Sequence, residues 1–120
     1  TRGYVSVIIG EAGKEVGIDI EQYGERVHKV AHKYMRTDEP LSSYQGTDTW
    51  ALLLHWSAKE ALFKLMGVEE VDFIRHLRIF PFSLSEEGEF EACEYRTGRQ
   101  GRYRVRYVTH PDFVLTWIIK

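Results

Sequence analysis

The chain has 120 residues, 43% hydrophobic and 28% charged, which suits one soluble domain with a modest core. A net charge of −2 excludes a global electrostatic attraction to nucleic acid. No apolar run is long enough to span a membrane, and one cysteine, Cys93, excludes an internal disulfide.

Taken in chain order, Tyr4 to Ile9 reads as a strand, with Gly10 and Gly13 in the turn that follows. In Glu15 to Glu21, Val16, Ile18 and Ile20 alternate with Gly17, Asp19 and Glu21, the period of a second strand. Two carboxylates share one of its faces, so that face is either wet or meets something positive. Val27, Val30, Ala31, Tyr34 and Met35 then predict an amphipathic helix ending near Arg36. Thr37 to Pro40 breaks it and carries the signals of a new helix start.

Thr47 or Asp48 can cap the longest helix, whose stripe runs from Trp50 to Leu65 and which Gly67 stops. The last third reads as β: Leu77 to Phe82, a turn at Glu86 to Gly88, Phe90 to Tyr95, Tyr103 to Val108, and Phe113 to Ile119 after a turn at Pro111 and Asp112. Strands, then helices, then strands predict an α+β fold, a largely antiparallel sheet packed against helices. The stretches YVSVII and FVLTWII form a faint internal echo.

Asp19 and Glu21 on a strand, with Glu60 flanked by Lys59 and Lys64 on a helix, have the composition of a Mg²⁺ site beside a pyrophosphate. The residue types alone leave a solvated face, an ordinary Glu60–Lys64 helix pair and a metal-dependent nuclease open as well. His28 and His32 stand one helical turn apart, a zinc-capable spacing without an evident third ligand. Arg96, Arg99, Arg102, Arg104 and Arg106 cluster about one hairpin, read first as a solubilising edge and second as a dock for an acidic partner.

The motifs Gly17-Ile18-Asp19-Ile20-Glu21 and Trp56-Ser57-Ala58-Lys59-Glu60-Ala61-Leu62-Phe63-Lys64 resemble, in order and separation, the two signatures of the 4′-phosphopantetheinyl transferases. Their wording is similar to the surfactin-synthetase-type branch, whose members are two similar halves. The resemblance implies transfer of the 4′-phosphopantetheine group of coenzyme A to a serine of an acyl or peptidyl carrier protein, releasing adenosine 3′,5′-bisphosphate. It implies Asp19, Glu21 and Glu60 as Mg²⁺ ligands, Lys59 and Lys64 as coenzyme A phosphate contacts, Lys64 as a stabiliser of the leaving phosphate, and Glu39 as the base. It covers the second half of such an enzyme. The expectation is therefore a single domain over 1–120 completed by a further N-terminal half, a partner chain or a homo-oligomer, in the cytoplasm. The competing expectation is a non-catalytic half that binds coenzyme A or a partner.

Overall fold

A computed structural model describes residues 15–98 and 101–119. The expected strand Tyr4 to Ile9, its turn, and Arg99 lie outside the described residues. Among the described residues, five strands form one antiparallel sheet: β1 (Val16–Gln22), β2 (Leu77–Ile79), β3 (Glu87–Glu94), β4 (Arg102–His110) and β5 (Phe113–Ile119). Their order is β1-β5-β4-β3-β2. A four-residue helix α1 (Arg26–Lys29), a 3₁₀ turn at Ala31–Lys33 and the long helix α2 (Thr49–Met66) lie between β1 and β2. The fold is α+β, as the sequence predicts.

Helix α2 packs against β1 and β5. Leu54, Ala58, Ala61 and Leu62 are fully buried and join Val114, Ile118, Val105, Phe90 and Ala92 in the main core. Leu115, Trp117 and Val108 form a second cluster with Val16 and Ile18, on the other face of the sheet. The pleat therefore turns the apolar residues of β1 away from α2 and its acidic residues toward it. Gly17 shows why the helix comes this close. A Cβ there would overlap the backbone carbonyl oxygen of Ala61 and stand 3.0 Å from Leu65 Cβ. Only glycine lets the strand lie against the helix backbone. At the other end of α2, Gly67 adopts φ 64°, the left-handed conformation of a helix stop.

Four local expectations are corrected. The helix expected to run to Arg36 stops at Lys29 and resumes as a 3₁₀ turn. The Tyr34 hydroxyl donates to the Val27 carbonyl at 2.7 Å, competing for an acceptor a continuing helix would use. No helix starts at Thr37 to Pro40, because Glu39 turns inward. The strand expected over Leu77 to Phe82 ends at Ile79, with one further bond from Phe80 N to Glu91 O before Pro81, which has no N–H to donate. The turn expected at Glu86 to Gly88 is largely strand, Glu87 pairing with Val108 and Gly88 with Tyr107.

Candidate functional site

The site forms where β1 crosses α2. Ser57, fully buried, donates to the Asp19 carbonyl at 3.2 Å and shares a 2.8 Å hydrogen bond with Thr116, the cross-strand partner of Asp19. That bond sets the height of Asp19 along the helix. One turn beyond Ser57 stands Glu60, and one turn beyond Glu60 stands Lys64. The Lys64 ammonium donates to Asp19 Oδ1 at 2.9 Å and to the Ile18 carbonyl at 3.2 Å.

Asp19 is 6% exposed, and its second oxygen, Oδ2, is buried without a hydrogen-bond partner. An orphaned carboxylate oxygen in low dielectric is costly. Burial first, and then the Asp19 carboxylate, push the Glu21 carboxyl up to about 8; the Trp56 indole opposes this, and Glu60 adds to it. Glu60 is also raised, by burial and then by Asp19, against the pull of Lys64. Burial and the neighbouring Asp19 charge thus raise the proton affinity of both Glu21 and Glu60 in one half-buried place. A proton on Glu21 can satisfy Asp19 Oδ2, and so can a cation.

The donor set fits a hard divalent ion: it is all oxygen, and one buried oxygen lacks a donor. Among the described residues no three carboxyl, imidazole or thiol groups form a ready-made cage.

A cleft of about 740 Å³ opens beside these acids. Glu21, Glu60, Trp56, Tyr23, Arg26 and Lys33 are among the residues that line it. Arg26, Lys33 and Tyr23 are absent from the sequence-based expectations. No local signal marks Arg26 and Lys33, because the helix that would align them breaks after Lys29. Trp56 packs against the main core and also lines the cleft. Its place one turn before Glu60 was the clue that the two share a face.

Glu39 and Lys59 do not join the acidic group. Lys59 is wholly buried. Its ammonium donates to Glu39 Oε1 at 2.8 Å, to the Phe73 carbonyl at 3.1 Å and to the Tyr34 carbonyl. Glu39 also accepts from Arg36 N at 2.8 Å and from Ile79 N at 2.6 Å. Burial lowers the Lys59 pKa and the Glu39 charge opposes that shift. With all three ammonium donors used and no exposure, Lys59 offers nothing to a phosphate in this arrangement. Glu39, whose side chain is equally sealed, is out of reach of an incoming hydroxyl. In this packing the Lys59 ammonium and the Glu39 carboxylate face each other and away from solvent.

Among the remaining candidates, His28 and the arginines of β4 have side-chain partners. His28 Nε2 meets Thr49 Oγ1 at 2.7 Å, at the start of α2. Arg102 pairs with Glu91, and Arg104 and Arg106 with Glu89, across the β3–β4 ladder. This is the arrangement of a solvated, charge-balanced face.

Residues 15–118 match a family model described as the 4′-phosphopantetheinyl transferase superfamily. No curated protein and no solved structure matches the chain.

Proposed function

The chain belongs to the 4′-phosphopantetheinyl transferase superfamily, and from that premise we propose that it transfers the 4′-phosphopantetheine group of coenzyme A to a serine of an acyl or peptidyl carrier protein. The observation that carries this reading is the buried Asp19 carboxylate. One oxygen is held by Lys64 and the other is left without a donor beside Glu21 and Glu60. Such a place suits a divalent cation and the pyrophosphate it accompanies.

In this reading Asp19, Glu21 and Glu60 hold Mg²⁺, which supplies charge neutralisation at the pyrophosphate. Lys64, half-exposed at the mouth of the site, binds a phosphate oxygen and offsets charge on the leaving group. The serine oxygen forms a bond to the phosphorus of the phosphopantetheine group. The bond from that phosphorus to the bridging oxygen breaks, and adenosine 3′,5′-bisphosphate departs. The serine proton passes to a base within hydrogen-bond reach of the hydroxyl; Glu21 and Glu60 are committed to the cation in this reading, and Glu39 takes it only if its pair with Lys59 opens. Arg26 and Lys33, which also line the cleft, supply positive charge for an acidic acceptor. The buried Lys59–Glu39 pair holds α2 in register.

The wording of the two motifs supports placement in the two-half branch, with coenzyme A bound jointly by this domain and a second half or chain. The test is mass spectrometry of apo carrier proteins incubated with the intact natural chain, coenzyme A and Mg²⁺. A phosphopantetheine mass gain is expected. No gain with any of several fatty-acid, polyketide and peptide carriers would overturn the transferase reading. Coenzyme A binding without transfer would favour the non-catalytic half.

A further inference from the structure

Lys64 occupies an unusual position for a residue that is to receive a phosphate. Its ammonium is already engaged, by Asp19 Oδ1 at 2.9 Å and by the Ile18 carbonyl at 3.2 Å. Its partner is buried while it is not: the side chain of Asp19 is 7% exposed and that of Lys64 is 51% exposed. A fixed buried anion is thus covered by a cation that solvent can reach on a long, flexible stem. A divalent ion entering at Asp19 meets the Lys64 charge across one carboxylate and finds only Oδ2 undonated.

We propose that Lys64 is an internal counter-ion for Asp19 that makes divalent-cation binding depend on the pyrophosphate. Lys64 partly neutralises the acidic group in the resting chain, so a cation alone gains little. An arriving pyrophosphate draws the ammonium off Asp19 to its own oxygens, and the acids then present their full charge to the cation. The two ligands therefore assist one another, and the assistance is reciprocal. The inference rests on Asp19, Glu21 and Glu60 being the cation ligands. It adds an order to the filling of the site.

The experiment titrates the intact chain with Mn²⁺ alone, reading free Mn²⁺ by electron paramagnetic resonance, in wild type, Lys64→Met and Lys64→Arg. Circular dichroism confirms that each variant is folded. Lys64→Met is expected to bind Mn²⁺ more tightly than wild type, on the order of tenfold, the size of one charge–charge interaction near a protein surface. Lys64→Arg, which keeps the charge, is expected to stay close to wild type. Equal or weaker binding by Lys64→Met overturns the proposal, because Lys64 would then orient Asp19 for the cation rather than compete with it. Absence of Mn²⁺ binding in all three proteins overturns both the proposal and the cation reading. If Lys64→Met binds more tightly but the wild type transfers nothing to any carrier, the transferase reading fails and the counter-ion stands.

Discussion

The Lys59 ammonium lies 2.8 Å from Glu39 Oε1, and neither side chain reaches solvent. The pair joins five pieces of chain: α2, the carbonyls of Tyr34 and Phe73, and the amides of Arg36 and Ile79. Removing one partner leaves the other as a buried, uncompensated charge. Lys59→Met is expected to cost about 3–5 kcal/mol. Adding Glu39→Leu should cost less than the sum of the two single changes, since no charge is then stranded. Urea unfolding of the three variants measures this. A Lys59→Met loss under about 1 kcal/mol would show that the pair is not the clasp described.

Gly17→Ala is expected to destabilise by about 1–3 kcal/mol, the usual range for overpacking, because the obstacle is helix backbone and not a movable side chain. Gly24, where a Cβ would meet nothing within 4 Å, is the control. Gly24→Ala should change stability little. Thermal melts of both compare them directly. Similar melting temperatures for the two variants would refute the close approach of β1 to α2.

The pH dependence follows from Glu21. Its carboxyl titrates near 4.5 when unperturbed and at about 8 in the fold. Between those values the folded state holds a proton that the unfolded chain has released. Stability from this group is therefore fully present below about 4.5 and is lost as pH rises through 8. Buried His55, lowered by desolvation, acts at lower pH and in the opposite sense. The urea midpoint of wild type should fall from pH 7 to 8.5, and Glu21→Gln should flatten that slope. Mg²⁺ should counter the fall, since it replaces the proton. An unchanged slope in Glu21→Gln would assign the dependence to other groups.

Asp19→Ala and Glu60→Ala are each expected to abolish transfer, the first through the buried oxygen, the second through the carboxylate facing the cleft. Lys33→Glu, in the lining of the cleft, should raise KM for the carrier protein with little effect on KM for coenzyme A. Steady-state assays separate these effects. Transfer retained in Asp19→Ala or Glu60→Ala would remove that residue from the site.

By itself the sequence determined the strand–helix–strand order, the extent and stop of the long helix, and the pairing of Gly17-Ile18-Asp19-Ile20-Glu21 with the Trp56 to Lys64 motif. Those are properties of local period, glycine conformation and residue order, which neighbours in the chain report. The tertiary structure decided which face of β1 turns to the helix. It buried Asp19 against α2, left Glu21 half-buried at the cleft, and turned Val16 and Ile18 toward the second apolar cluster. It also divided the two adjacent motif residues, Lys59 and Glu60. Successive helix positions lie about 100° apart, so one side chain enters the core to meet Glu39 while the next lines the cleft. A motif states both residues in the same terms. Only the packing around the helix determines which of them is sealed and which can reach a ligand.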